Sequence, residues 1–396
     1  MAPPDGFRSI DELTLAHQRV LIRVDFDVPL GDDGQVASDD KLRAALPTLQ
    51  KALKEGARVV LATHLGAPDD EPRSLEPVAA RLAELLGQEV YLPDECVGDA
   101  ARKVVSDLRE GQLCLLENLY LRPEEAQNDD SLARKLFGLC DAYISEAFAC
   151  SHLTQASLVA LPRLLKERGI GYRFKAELDA LSRAKGGAQK PFVGILGGES
   201  LSRSLPVFEI MLRRCDSLCV GGAVANTLLA ARSVDMKASL VEREQLALGR
   251  ALLSRARDQK VDVLLPIDVL TGQDGDSADG HAVSVGSLAD GASAFDIGPK
   301  TLDAFRARIA SAKTVLWHGA LGALENPAFS AGTEGMLSSL AEAPAFGIVT
   351  GEALSKAARA RGPELESSIG LVSTGGVASL VFIEGKKLPG VEALRG

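Results

Sequence analysis

Short apolar runs alternate with longer amphipathic stretches along almost the whole chain, and few folds accommodate that rhythm. Residues 19–24 (RVLIRV), 58–63 (RVVLAT), 112–117 (QLCLLE) and 141–146 (DAYISE) read as buried strands. Between them, residues 41–53, 75–86 and 131–139 carry apolar side chains at helical spacing. The rhythm resumes at 191–197 (PFVGILG), 217–222 (SLCVGG), 261–268 (VDVLLPID), 313–319 (KTVLWHG) and 345–351 (AFGIVTG). Strands that are apolar on both faces must be covered on both faces. The expected class is therefore α/β, with parallel sheets between helices. Ligands of such sheets sit beyond the carboxyl ends of the strands.

One seam interrupts the rhythm. Residues 172–190 (YRFKAELDALSRAKGGAQK) form a charged helix with Phe174, Leu178 and Leu181 on one face, closed by Gly186 and Gly187. The predicted organisation is a first α/β domain over 1–172 and a connecting helix and linker over 173–190. A second α/β domain then covers 191–380, and a segment over 381–396 follows it. A chain of 396 residues has ample material for two such cores. The polar stretch 271–281 (TGQDGDSADGH) reads as an exposed loop, without the spacing or closing glutamate of a calcium loop.

Net charge is −10 and no basic run interrupts it, which argues against a nucleic-acid partner. No apolar stretch approaches the ~20 residues that cross a bilayer, and MAPPDGFRSIDEL has no signal-peptide core, so a cytoplasmic protein is expected. Six cysteines without a C-x-x-C pair read as buried, reduced thiols. Cys150 stands beside Ser151 and His152, but nucleophile and base normally meet through the fold rather than in sequence.

The segment FVGILGGESLSRSLPVFEIML (192–212) reads as strand, glycine turn and helix. Gly197 and Gly198 allow close backbone approach at a helix start, where unpaired N–H groups favour an anion such as phosphate. Yet Glu199 comes next, and no lysine stands on the first turn. The expectation is that Glu199 serves as an internal anion there.

Nine motifs, VLIRVDFDVPL, LRAALPTL, THLGAP, LLENLYLRPEE, EAFACSH, KPFVGILGG, FDIGPKT, KTVLWHGALGALE and VSTGGVASLVFIEGKKLPGVEAL, closely resemble phosphoglycerate kinases, in family order over nearly the whole chain. The resemblance implies two Rossmann-like domains joined by a helix and a C-terminal segment that returns to the first domain. It also implies a monomer and reversible glycolytic phosphoryl transfer between ATP and 3-phosphoglycerate. The first half would hold phosphoglycerate, and the second would hold Mg-ATP or Mg-ADP.

Departures from the family pattern fall where the chemistry belongs. On the substrate side Asp25, His64 and His152 match, but Asp27 replaces an asparagine and Glu146 an aspartate. Lys41, Ala67, Tyr120 and Leu153 stand at arginine positions. On the nucleotide side Gly197 and Gly198 match, whereas Ser200 replaces the lysine that reaches the transferring phosphoryl group. Glu325 matches the ribose-binding residue. In TGEALSKA, Gly351 precedes Glu352, which is the candidate magnesium carboxylate. His318 replaces an asparagine, and Val377 a glycine. The matches are glycines, prolines and apolar strands; most mismatches remove cations. The expected protein is a family member without kinase activity, serving as a binding or regulatory partner. Two alternatives stay open: a working kinase with Lys41, Arg122, Arg203 and Glu352 compensating, and a changed ligand or metal held by Asp25, Asp27, His64, Glu146 and His152.

Overall fold

The computed structural model describes residues 6–71 and 73–395. The absence of a signal-peptide core rests partly on residues 1–5, which lie outside the described residues. Two compact units are present, Met1–Asp179 with Gly385–Gly396, and Ala180–Glu384.

The first unit is built on six parallel strands in the order β3-β4-β2-β1-β5-β6. They are β1 (Arg19–Arg23), β2 (Arg58–Ala62), β3 (Val90–Tyr91), β4 (Leu113–Leu115), β5 (Ala142–Ser145) and β6 (Arg168–Ile170). Leu21 of β1 stands in register with Val60 of β2 and Tyr143 of β5. Both faces are apolar, so Val20 and Ile22 pack with Val59, Leu61 and Leu49 in the core while Leu21 and Val60 are equally buried. Burying both faces of a strand is what selects the near-continuous apolar runs read in the sequence.

The second unit repeats the plan with strand order β15-β14-β13-β7-β8-β9. Its strands are β7 (Phe192–Leu196), β8 (Ser217–Val220), β9 (Asp262–Leu264), β13 (Thr314–His318), β14 (Phe346–Thr350) and β15 (Gly370–Val372). Trp317 is wholly buried, and its indole N–H donates to the Gly319 carbonyl at 2.8 Å. A separate antiparallel sheet of β10 (Asp268–Gly272), β11 (His281–Ser284) and β12 (Ser293–Ile297) was not foreseen. The run 261–268 had read as one strand, but Pro266 cannot donate to a ladder and divides it. The polar loop is accordingly shorter than expected, because Thr271, Gly272 and His281 belong to strands.

The seam helix spans Tyr172–Gly186 and buries Phe174, Leu178 and Leu181. All six cysteines are buried free thiols. No helix among the described residues is long and apolar enough to cross a membrane.

Several helix starts among the described residues share one device. Exposed N–H groups at a helix N-terminus need acceptors, and in each case a carboxylate distant in sequence supplies them. Glu117 accepts from the Leu75 amide at 2.8 Å, at the start of the helix Glu76–Leu86. Asp268 accepts from the Lys300 and Thr301 amides at 3.0 and 2.8 Å, on the helix Pro299–Ala310. Glu146 and Glu242 do the same at positions that bear on function.

Candidate functional site

In the first unit the chemistry-bearing residues lie past the ends of β1, β2 and β5. Asp25 and Asp27 follow β1, and Lys41 stands on the first turn of the helix Asp40–Lys54. Its ammonium sits 3.0 and 3.1 Å from the two Asp25 carboxylate oxygens. Burial opposes the Lys41 charge, but Asp25, aided by Asp27, outweighs it and holds the pKa above the usual lysine value. Asp27 accepts from the Gly66 amide at 3.0 Å, which ties the loops after β1 and β2 together.

His64 follows β2 and is buried. Its Nδ1 lies 2.9 Å from an Arg23 guanidinium nitrogen. Because guanidinium can only donate, Nδ1 accepts and the imidazole proton resides on Nε2. Burial and the neighbouring Arg23 charge push its pKa down to about 3, so His64 is neutral at physiological pH. Arg23 itself is fully buried and turned inward. It donates to the Ser157 hydroxyl at 2.8 Å and to the Val24 carbonyl. Glu125, also fully buried, accepts from the same Ser157 hydroxyl and from the Ser157 amide. The stretch 122–125 reads in sequence as a solvated turn and helix start; the helix Pro123–Ala126 does begin there, but Glu125 is a core carboxylate.

Of the substitutes at the proposed arginine positions, Tyr120 and Leu153 are packed into the protein. The Tyr120 ring lies 4.6 Å from that of His64, and its hydroxyl accepts from Gln155 at 2.7 Å. Leu153 packs against the buried cluster of Ala147, Cys150, Leu158 and Val159. Ala67 is exposed, with its amide bonded to Asp70 at 2.9 Å. His152 donates to the Ala149 carbonyl at 2.9 Å.

The expected convergence of Asp25, Asp27, His64, Glu146 and His152 is corrected: of these five, only Asp25 and His64 come together in one donor cluster among the described residues. Glu146 accepts from the amides of Arg173 and Phe174 at 3.1 and 2.9 Å and from Thr48, capping the seam helix. Instead, Cys150 joins Asp25 and His64, their donor atoms lying within 4.8 Å of one another. That trio is a poor metal site. His64 would have to present Nε2 as a lone pair, which would turn Nδ1–H against the Arg23 donor. Lys41 already holds Asp25, and burial pushes the Cys150 thiol up to about 12. The same burial disfavours a Cys150 thiolate at neutral pH.

Burial raises the Glu146 carboxyl to about 7, against hydrogen bonds that favour its ionised form. A folded-state pKa above the unfolded value contributes stability at low pH that is lost as pH rises through the folded value. Glu146→Gln is therefore expected to flatten the dependence of unfolding free energy on pH between about pH 5.5 and about pH 8. Parallel slopes for parent and variant in urea titrations would show that Glu146 does not titrate there.

In the second unit, Gly197 and Gly198 link β7 to the helix Leu201–Arg214. The close approach these glycines permit is made by the chain itself. A Cβ on Gly197 would lie 1.9 Å from the Ala320 carbonyl oxygen, and the Gly198 amide donates to that oxygen at 2.8 Å. The helix start also holds an anion already, and it is not Glu199, which is exposed. Glu242 accepts from the amides of Leu201 and Ser202, the latter at 3.1 Å. Its other oxygen accepts from the Ser200 and Ser202 hydroxyls at 2.8 and 2.5 Å. Partial burial works against the Glu242 charge, but Ser202, Ser200 and the two amides prevail and hold its pKa below the usual carboxylate range. Ser200, at the lysine position, is the N-cap, with its hydroxyl also accepting from the Arg203 amide at 3.1 Å. No signal within the segment 192–212 could have revealed Glu242, some forty residues away.

The remaining residues expected on the nucleotide side lie at or near strand and helix ends or are exposed. Gly351 takes φ +99, a left-handed conformation that favours glycine, and Glu352 begins the helix Glu352–Ala360 as an exposed carboxylate. Glu325 is exposed, and Val377 is 57% exposed. His318 contacts the Thr350 hydroxyl at 2.9 Å, and burial lowers its pKa to about 4, so it supplies no cation.

The family model for phosphoglycerate kinase matches residues 10–386. A phosphoglycerate kinase of Anaeromyxobacter dehalogenans is 45% identical over 394 residues, covering 98% of this chain and 99% of the relative. One from a Nostoc species is 39% identical, covering 98% of both chains. Among solved structures, phosphoglycerate kinase from Coxiella burnetii superposes with a TM-score of 0.85 at 33% identity, covering 98% of each chain. The Pyrococcus horikoshii enzyme gives 0.81 at 28% identity, again over 98% of each. With this fold, these strand-end motifs and similarity along the full length, the chain belongs to the phosphoglycerate kinase family.

Proposed function

We propose that this family member does not transfer phosphoryl groups and serves as a binding or regulatory partner, as a cytoplasmic monomer. The observation that carries this reading is the Lys41–Asp25 pair. Lys41 is the cation best placed to meet an anionic substrate, and its charge is already matched by Asp25. The neighbouring Arg23 guanidinium is buried and turned inward to Ser157 and His64, and the imidazole of His64 is neutral. Each lost arginine fork removes about 1.5–3 kcal/mol of charge-assisted contact, enough together to move a micromolar affinity to millimolar or beyond.

A Mg-nucleotide, which the family uses, fits the second unit only in part. Glu352 can offer one carboxylate to magnesium, and Gly351 leaves the helix start open. At the other helix start Glu242 occupies the anion position, and Ser200 offers no positive charge where transfer needs one. Bound nucleotide would supply the phosphoryl group; these residues leave its developing charge unneutralised.

The experiment is a coupled assay for 3-phosphoglycerate-dependent ATP turnover, beside calorimetry with each ligand. Turnover at background and no 3-phosphoglycerate binding at millimolar concentration are expected. Robust turnover would establish the second reading, a working kinase, which the 45% identity to a relative of that name favours. Submillimolar 3-phosphoglycerate binding abolished by Lys41→Ala would show that the ammonium leaves Asp25 for substrate.

A further inference from the structure

We propose that the first unit carries a separate anion site, formed where both ends of the described chain meet the start of β6, which takes a small phosphate-class dianion. A cavity of about 280 Å³ is lined there by Gly6, Phe7, Arg8, Lys166, Arg168 and Leu394. It stands apart from the pocket of Asp25, Lys41 and His64. Those residues lie past the carboxyl end of β1 or near it, whereas Arg168 is the first residue of β6.

The cavity is cationic in a chain of net charge −10. Arg8 is paired with Glu167 at 3.1 Å, and Arg395 with Glu392 at 3.1 Å. Lys166 and Arg168 have no carboxylate partner among the described residues. Among the described residues, the three lining cations Arg8, Lys166 and Arg168 meet one carboxylate partner, Glu167, so the lining keeps an excess of positive charge that suits a phosphate dianion.

The arginines are also oriented in advance. Arg168 donates to the carbonyls of Leu165 and Arg395 at 2.7 and 2.6 Å, which fixes its guanidinium plane without neutralising it. Its Nε is buried with no hydrogen-bond partner. The Arg395 guanidinium lies 4.8 Å from the centre of the Phe7 ring, which supports it from one face. A planar fork held this way suits a tetrahedral oxyanion, and Lys166 adds a mobile point charge. The volume admits phosphate or a small phosphate ester and lies below the usual range for larger ligands.

The site has a physical consequence for the chain. Arg8 is held to β6 by the Ile170 amide, which donates to its carbonyl at 2.9 Å. An anion bridging Arg8 and Arg168 joins the N-terminal segment to the edge strand, and Arg168 in turn donates to the Arg395 carbonyl of the C-terminal segment at 2.6 Å. Binding to the folded state alone then raises the melting temperature with anion concentration.

The test titrates full-length protein with inorganic phosphate at constant ionic strength, by calorimetry and by thermal unfolding, with sodium chloride as the screening control. Saturable binding at one site and a rising melting temperature are expected. Lys166→Ala, at a side chain with no partner among the described residues, should weaken phosphate about tenfold without altering the fold. Arg168→Lys should weaken it as well, since it keeps the charge but loses the fork. Lys41→Ala should leave the affinity unchanged. Binding that survives Lys166→Ala and vanishes with Lys41→Ala would place phosphate in the other pocket and overturn the proposal. So would no saturable response up to ~10 mM phosphate. Where Arg168→Lys fails to fold, Lys166→Ala decides alone.

Discussion

Arg23→Met is expected to lower unfolding free energy by about 3–5 kcal/mol, the cost of leaving a buried charge without its counterpart. Arg23 and Glu125 are both fully buried and meet through the Ser157 hydroxyl. Burial already raises the Glu125 carboxyl, and the Arg23 charge is what opposes that rise. Without Arg23 the Glu125 pKa climbs further. The penalty therefore grows as pH rises and shrinks toward acid, where Glu125 takes up a proton. His64 Nδ1 and the Val24 carbonyl lose their donor in the same step. The double change Arg23→Met with Glu125→Gln should recover most of the loss, because a neutral amide keeps a bond to Ser157 without a buried charge. Urea unfolding of both single variants and the double variant measures the coupling directly. A loss below about 1 kcal/mol in Arg23→Met would mean that Glu125 is neutral in the parent protein at neutral pH.

Glu242→Ala should cost about 1–3 kcal/mol, because the helix start at Leu201 and Ser202 loses its acceptor. The loss stays moderate since Ser202 is exposed and water can reach its amide. It should disappear on acidification. A carboxylate held below its usual pKa contributes stability above the unfolded value, and that contribution goes as pH falls through the folded value. Parent and variant should therefore converge in stability below about pH 4. Glu199→Ala should leave stability unchanged within about 0.5 kcal/mol, the usual range for an exposed position. The reverse ranking of the two variants would restore Glu199 as the internal anion. The same geometry predicts a poor outcome for reinstating the missing lysine alone. A lysine at position 200 would face Glu242 and be neutralised by it.

Much of the architecture was legible because burial on two faces leaves a local imprint. Val20, Leu21 and Ile22 are apolar in succession because helices cover both sides of β1, and the same holds for Val59, Val60 and Leu61. The seam helix was legible from the spacing of Phe174, Leu178 and Leu181. The family resemblance then named the strand-end residues of both halves, and the missing arginines follow from residue identity alone. The antiparallel sheet of β10, β11 and β12 was not legible. Its strand β11 is largely exposed, and a proline ahead of β10 and a polar loop behind it interrupt the pattern.

What the tertiary structure decided is where each charge is spent. The resemblance in sequence implied that Lys41, Ser200 and Tyr120 stand at positions the family gives to arginine or lysine. It could not show that Lys41 closes on Asp25, that Ser200 is tied to Glu242, or that Tyr120 lies against His64. Nor could it separate Glu146, which caps a helix, from Asp25, which pairs with Lys41, and Asp27, which accepts from the Gly66 amide. The reason is physical. Hydrophobic periodicity is written over three or four neighbouring residues, whereas a carboxylate finds its partner across Å of folded space. In this chain those partners lie between 16 residues apart, for Lys41 and Asp25, and 40 or more, for Glu242 and the helix start it caps.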